Sequence, residues 1–172
     1  MKQAAFKISL AVILGSSAFI AVAEPTQGSR EVTLSGAGGS DKSFDNTLFN
    51  IEGTYGKYLS SETLLGVRQS IGVAKTEGDD SRWNGATRFF ADYHFGDRYR
   101  PYVGASLGYI YGDGVEETFI AGPEVGLKAY VLENTFIAAN IEYQFLFDHA
   151  DDADSQFDDG AFAYSVGMGF NF

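Results

Sequence analysis

The chain ends in thirteen residues that alternate strictly between large apolar side chains and small or polar ones: Gly160-Ala161-Phe162-Ala163-Tyr164-Ser165-Val166-Gly167-Met168-Gly169-Phe170-Asn171-Phe172. A period of two is that of a β-strand with two unlike faces. The bulky face carries no charge, and the sequence stops on it with Phe172. The fold therefore depends on whether this face packs against a protein core or against lipid.

The same alternation recurs in six segments upstream, which are separated by polar or acidic breaks. In each, one face holds large apolar side chains and the other holds small and charged ones. The segments are 47–55, 63–73, 83–95, 101–111, 119–131 and 135–147, and a weaker eighth segment, 30–38, contains Val32 and Leu34. Eight strands make the smallest common membrane barrel, whose lumen is filled by side chains.

The position of the charged residues indicates which face meets lipid. In the seven strong segments no Asp, Glu, Lys or Arg lies on the bulky face. The opposite face shares its glycines with seven charges, Glu52, Arg68, Arg88, Asp92, Glu124, Lys128 and Glu142. A soluble ligand-binding barrel would place these charges outside in water, but it would not normally place glycine there. A crowded lumen needs small neighbours beside long side chains, so the apolar face is predicted to face lipid.

The breaks between the segments are of two kinds. Short turns at 58–61, 96–100 and 132–134 alternate with longer, mostly acidic loops at 38–45, 75–82, 112–117 and 147–160. This is the pattern of an up-and-down membrane barrel with periplasmic turns and extracellular loops. Aromatic side chains near both ends of the strands are typical of the two interfacial girdles of such a barrel.

One strand residue works against regular pairing. Pro123 lies on the outward face of segment 119–131 and cannot donate a ladder hydrogen bond. A closed barrel has no free edge to accommodate it, so we expect a local β-bulge there.

The N-terminus has the pattern of a secretory signal peptide. Lys2 and Lys7 precede an apolar stretch, and Ala21-Val22-Ala23 gives a small-x-small cleavage motif. A transmembrane anchor is the alternative, but the apolar stretch is short for a bilayer span. We therefore predict a signal peptide at 1–23 and a barrel domain at 24–172. Cleavage would remove two lysines and change the formal net charge from −11 to −13.

The chain resembles the small eight-stranded outer-membrane β-barrels of Gram-negative bacteria, the OmpA-like and OmpX/opacity-type barrels. The resemblance covers the segment 24–172 and is most specific in Arg100-Pro101-Tyr102-Val103-Gly104-Ala105-Ser106-Leu107-Gly108-Tyr109, in Ala121-Gly122-Pro123-Glu124-Val125-Gly126-Leu127-Lys128 and in the closing strand. It implies that this strand, with Phe172, Phe170 and Tyr164, is the signal read by the outer-membrane assembly machinery. The peptidoglycan-binding domain of full-length OmpA-type proteins is not expected here.

The lumen charges are the best-defined candidate site. Three cations and four anions are close to balance, which favours mutual pairing because a buried unpaired charge is costly. A tight turn at 58–61 would set Glu52 roughly opposite Arg68. The site is interpreted as a structural polar core, and an ion path through the lumen is the alternative.

Other chemistry is not expected. The segment 148–159 carries six aspartates but lacks the glycine and glutamate of an EF-hand, so a solvated loop competes with loose divalent binding. Neither of the two histidines, His94 and His149, lies near Ser106 or Ser165 in sequence, so no catalytic residues are assigned and the protein is expected not to be an enzyme. No cofactor and no metal site is predicted, and the chain has no cysteine.

The sequence predicts an all-β, outer-membrane protein with a structural or surface-interaction role, through envelope integrity or adhesion by four loops. A small passive pore is the alternative, and a lipid-modifying enzyme is a third reading. The expected partners are the lipid bilayer, lipopolysaccharide, the assembly machinery and an unidentified surface ligand. Nucleic acid is excluded as a partner because phosphate binding needs a basic face. We expect a monomer.

Overall fold

The chain forms a closed barrel of eight antiparallel strands in a computed structural model, which describes residues 24–40, 47–75, 81–113, 117–147 and 160–172. Each strand pairs with its neighbours in sequence, and β8 pairs back with β1. The strands are β1 Arg30–Ser40, β2 Thr47–Tyr58, β3 Thr63–Lys75, β4 Arg82–His94, β5 Tyr99–Tyr111, β6 Thr118–Tyr130, β7 Thr135–Phe147 and β8 Gly160–Asn171. The predicted eight-stranded up-and-down barrel is confirmed. The described ranges contain no helix long and apolar enough to cross a membrane.

The two faces of the sheet are divided as the alternation predicts. The large apolar side chains of β8 are exposed on the outer surface, and its glycines and polar residues face the lumen. The same holds around the barrel, from Phe49 and Ile51 on β2 to Ile137 and Ile141 on β7. The first strand, whose alternation in the sequence is weak, pairs with β2 over its whole length, from Arg30↔Lys57 to Ser40↔Thr47.

Three tight turns close one end of the barrel. The amide of Leu59 donates to the carbonyl of Thr63 (2.8 Å), that of Phe95 to Pro101 (2.9 Å) and that of Val131 to Thr135 (2.9 Å). At Gly96 the backbone has φ +74°, a left-handed conformation that glycine adopts without strain. We call this the turn side and the opposite end the loop side. The predicted signal peptide and the acidic segment 148–159 lie outside the described residues.

The prediction of a β-bulge at Pro123 is wrong. On the β5 side Pro123 pairs in register with Ala105. On the β7 side the ladder runs from Phe119↔Phe147 to Ala121↔Phe145 and resumes at Glu124↔Glu142 in the same register, so no extra residue is inserted. The missing N–H is accommodated by a two-residue gap in the ladder. Gly122 lies in this gap so close to the Tyr143 carbonyl that a Cβ there would collide with it.

The closing seam between β1 and β8 is the shortest ladder. It begins at the chain end, where Arg30 and Phe172 exchange backbone hydrogen bonds of 2.8 and 2.9 Å, and its pairs run from Glu31↔Asn171 to Gly36↔Val166. Both strands continue beyond this point, each paired with its other neighbour. The barrel is therefore closed at the turn side and parted along its seam at the loop side.

Candidate functional site in the barrel lumen

The structure places all seven sequence-predicted charges in the lumen, each no more than 7% exposed. They are Glu52, Arg68, Arg88, Asp92, Glu124, Lys128 and Glu142. Since their strands lie around the whole barrel, the side chains converge from β2, β3, β4, β6 and β7. The small inward positions let them meet, as a Cβ at Gly104 would collide with the Asp92 carboxylate.

Two arginines bridge three glutamates across the lumen at mid-height. Arg88 forms ion pairs with Glu52 and Glu142. Arg68 lies 2.8 Å from Glu124 and 3.6 Å from Glu142. We call these five residues the arginine–glutamate bridge. It spans strands that are not neighbours, so it crosses the lumen instead of following its wall.

The pair expected from the first turn is formed diagonally. Arg68 pairs in the ladder with Thr54, and Glu52 pairs with Ser70. The Nε atom of Arg68 still lies 3.4 Å from Oε1 of Glu52, because a long side chain reaches one inward position along the lumen. Hydroxyl and amide donors complete the bridge, with Ser106 donating to Glu142 and Asn140 donating to Glu124 at 2.8 Å.

The expectation of mutual pairing holds for the five residues of the bridge, whereas Lys128 pairs with a residue outside the predicted set and Asp92 forms no ion pair with any described residue. Among the described residues no cation lies within ion-pair distance of Asp92. Its buried Oδ1 atom has no hydrogen-bond partner among them either. Asp92 is therefore the one sequence-predicted lumen charge that no side chain of the described part neutralises directly.

A second charged pair, on the turn side, was missed in the sequence. The Nζ atom of Lys128 lies 2.7 Å from Oε1 of Glu31, and the hydroxyl of Tyr58 donates to the other Glu31 oxygen at 2.9 Å. Glu31 lies on β1, whose alternation is weak, and it is 97 residues from its partner. Only closure of the barrel brings the two strands to the same lumen.

Aromatic rings fill the lumen around this pair, where small side chains had been expected. The rings belong to Tyr58, Phe90, Tyr102, Tyr130 and Phe136, together with the imidazole of His94. They alternate in step with the lumen charges of their own strands, as Phe90 lies two residues from both Arg88 and Asp92. This spacing is the sequence signal that could have identified them as lumen residues. Inward glycines make room for them, since a Cβ at Gly66 would lie 2.5 Å from the Phe90 ring.

Two cavities remain, one on either side of the bridge. Below it, a cavity of about 30 Å³ lies among Arg68, Asp92 and Lys128, and it has room for about one water molecule. Above it, a cavity of about 510 Å³ lies over Glu52, Arg88 and Glu142 toward the loop side. We call the upper cavity the cup. The bridge and the aromatic layer separate the cup from the turn side.

Among the described residues no group of three or more His, Asp or Glu side chains is placed to hold a metal ion. His94 lies between the rings of Tyr58 and Tyr102, and its Nδ1 atom is 3.2 Å from the carbonyl oxygen of Glu62. His149 lies outside the described residues.

The three residues of the implied assembly signal lie on the outer surface. Tyr164, Phe170 and Phe172 are 63%, 46% and 57% exposed and belong to the apolar face of β8 and its end. Phe170 and Phe172 contact each other with their ring centroids 5.6 Å apart. This arrangement leaves the rings accessible along one edge of the seam.

Comparison with solved structures agrees with this architecture. The N-terminal β-barrel domain of Pseudomonas aeruginosa OprF is similar to the chain at a TM-score of 0.59 with 26% identity, over 86% of this chain and 100% of that one. Neisserial surface protein A is similar at a TM-score of 0.57 with 15% identity, over 86% of this chain and 98% of that one. The chain has the fold of the small OmpA-like outer-membrane barrels. No protein-family model matches this outer-membrane barrel, and no curated protein does either.

Proposed function

We propose that this outer-membrane barrel is a structural protein of the Gram-negative envelope, exported by its signal peptide, which supports envelope integrity and presents four loops for contact at the cell surface. The observation that carries the proposal is the arginine–glutamate bridge. It crosses the lumen between non-adjacent strands, and the ring layer below it leaves space for about one water molecule. A barrel filled in this way serves as a membrane-spanning scaffold.

The outer surface supports anchoring in a bilayer. Along the strands it exposes large apolar side chains from every strand, and aromatic rings lie near both strand ends, such as Trp83 and Phe162 at the loop side and Tyr93 and Phe95 at the turn side. Such rings favour the membrane interfaces. Lipid, lipopolysaccharide and the assembly machinery are the partners this surface would meet. Neisserial surface protein A, a similar barrel, is described by its name as a surface protein.

Planar-bilayer recording tests the closed lumen. The wild-type protein is expected to give no stable single-channel steps. The double substitution Arg68→Ala with Arg88→Ala removes the cations of the bridge and is expected to produce measurable conductance. Stable steps from the wild-type protein would overturn the closed scaffold and establish the pore.

A passive pore is the second candidate, and the cup favours it. The loop-side half of the lumen already has about 510 Å³ of open space, so the barrier to the turn side consists of the bridge and the ring layer below it. Opening would require Arg68 and Arg88 to leave their carboxylates together. The two functions differ in the bilayer recording of the wild-type protein, which shows no single-channel steps for the scaffold and stable steps for the pore.

The role in the envelope is tested in cells. A strain that lacks the protein is expected to take up a hydrophobic fluorescent dye faster than its parent, and the wild-type gene should restore the barrier. A catalytic role in lipid turnover is not part of the proposal, since the one described histidine is enclosed by rings at the turn side. Turnover of lipid A or phospholipid by the purified barrel would contradict this.

A further inference from the structure

The seam between β1 and β8 opens part-way up the barrel. The two strands pair as far as Gly36↔Val166. Beyond it β1 stays paired with β2 as far as Ser40, and β8 stays paired with β7 as far as Gly160. The described residues of the two strands above this point, 37–40 and 160–165, form no ladder with each other. The barrel wall therefore has a slot on the loop side.

The cup extends to the unpaired strand edges of the slot. On β2 to β7 every lining residue has its side chain on the lumen face, as alternation requires for a cavity enclosed by a sheet. On β8 the lining includes two lumen-facing residues, Ala163 and Ser165, and also two outward residues, Phe162 and Tyr164. The cup therefore borders the stretch of β8 that has no β1 partner. On β1 it borders Ala37 and Gly38, which lie in the corresponding unpaired stretch.

The surroundings of the slot are those of lipid contact. Phe162 and Tyr164 are 62% and 63% exposed on the outer surface, in line with Val166 and Met168 of the apolar face. Backbone groups without ladder partners are not tolerated against lipid tails, but they are tolerated where they line a water-filled cavity. The cup supplies such a cavity directly behind the slot. On the β1 side no bulky side chain borders the slot at residues 36–38, because these residues are Gly, Ala and Gly.

We propose that the cup and the slot together bind a single-chain amphiphile, with its polar end on the arginine–glutamate bridge and its apolar chain passing between β1 and β8 into the loop-side leaflet. The volume of about 510 Å³ is within the range of small-molecule sites. The polar floor is formed by Glu52, Arg88 and Glu142, with Asn84 and Gln144 on the walls. Ile110, Ile120 and Ala86 supply the apolar part of the lining.

The charge of the floor selects the polar end of the ligand. The bridge holds two arginines and three glutamates, and each arginine is already paired with carboxylates. An anionic end would add a like charge to a site whose cations are occupied, whereas an uncharged or cationic end would be accepted. The expected ligands are therefore uncharged or cationic amphiphiles, and anionic ones are disfavoured.

A quenching experiment tests the passage. The chain has no cysteine, so Ala37→Cys can carry a single environment-sensitive fluorophore. Ser70→Cys is the matched control, because it lines the same cup from β3, which is paired on both sides. In vesicles that contain a lipid with a nitroxide on its acyl chain, the label at position 37 should be quenched much more strongly than the label at position 70. Ala163→Cys repeats the measurement from β8, and heat-modifiable gel mobility checks that each variant is folded. Equal quenching at 37 and 70 would overturn the passage.

A binding experiment tests the ligand class. Monododecanoylglycerol, dodecyltrimethylammonium and dodecyl phosphate have similar chains and differ in the charge of the polar end. The first two should change the fluorescence of the label at position 163 saturably, and dodecyl phosphate should bind at least tenfold more weakly. A label at Ala91→Cys, on the outer surface of β4, corrects for partition into the bilayer. Ala86→Trp fills the cup and should abolish the response, whereas Ala91→Trp, outward on the same strand, should not.

Two results would contradict the assignment. Equal responses to the three amphiphiles that also survive Ala86→Trp would mean nonspecific partition into the membrane. A disulfide-linked dimer of Gly38→Cys in the vesicles, without ligand dependence, would mean that a strand of a second copy occupies the edge instead.

Discussion

Replacement of Arg68 by methionine should strongly destabilise the barrel, because it leaves three buried glutamates with one shared cation fewer. Arg68 lies 2.8 Å from Glu124, 3.4 Å from Glu52 and 3.6 Å from Glu142, and its side chain is 6% exposed. Methionine keeps an apolar stem of similar length near the Phe90 ring, over which the guanidinium lies at 4.9 Å. The substitution therefore removes charge and hydrogen bonds more than packing.

The expected loss follows from these distances. At an effective dielectric constant of about 20, each of the three contacts has a gross attraction of about 5 kcal/mol. Desolvation of the guanidinium offsets most of this sum, and loss of one partner from a buried ion pair costs about 3–5 kcal/mol. Arg88 continues to neutralise Glu52 and Glu142, and Asn140 still donates to Glu124. We therefore expect the lower end of that range, about 3 kcal/mol.

Urea unfolding of the barrel in lipid vesicles, followed by heat-modifiable gel mobility, measures the change in unfolding free energy. Arg30→Met, at an exposed position at the start of β1, is the control and should stay within about 0.5 kcal/mol of wild type. The double substitution Arg68→Met with Glu124→Gln should recover at least about 1 kcal/mol of the summed single losses, because it removes the orphaned carboxylate. Additivity within about 0.5 kcal/mol would refute the bridge as an interacting unit.

Three further predictions concern other parts of the barrel. Gly122→Ala should lower the unfolding free energy by about 1–3 kcal/mol, since its Cβ meets the Tyr143 backbone, whereas Gly53→Ala, with open space around it, should be close to neutral in the same urea assay. Tyr58→Phe should cost about 1.5–3 kcal/mol by removing the hydrogen bond to the Glu31 carboxylate, and Tyr55→Phe on the outer surface should have little effect; equal losses would refute the buried Glu31 pair. Deletion of Phe172 should reduce the amount of assembled barrel in cells more than the stability of refolded protein, since the deletion removes two seam hydrogen bonds and the terminal ring, and normal insertion measured by outer-membrane fractionation would count against this.

The fold could be predicted from sequence because its determinants are local. Alternation along each strand records which residues face lipid, and it does so without reference to any other strand. The charges share their face with the glycines for a local reason too, because long side chains need small neighbours. The strand ends at the turn side were also predictable to within about three residues, as the short turns carry Gly, Ser, Asp and Asn.

The alternation of inward and outward residues along each strand identified the lumen charges, but it could not identify which of them pair with each other. Arg68 selects Glu124 and Glu52 through the stagger of the ladders, and Lys128 selects Glu31 only after the barrel closes. Asp92 has no ion-pair partner in the described part of the chain, because closure of the barrel places Lys128 against Glu31 instead. The ring layer was missed for a related reason, since Tyr58 and Phe136 are as bulky as the lipid-facing residues and differ from them only in phase.

The closing strand, β8, shows where sequence stops and tertiary structure decides. Its sequence alone determined an amphipathic strand with an apolar outer face from Phe162 to Phe172. Whether all of that strand pairs with β1 depends on the shear of the closed barrel, to which all eight ladders contribute. The pairing ends at Gly36↔Val166, and the slot above it exists because the last two edges must meet at a register set by the other seven ladders.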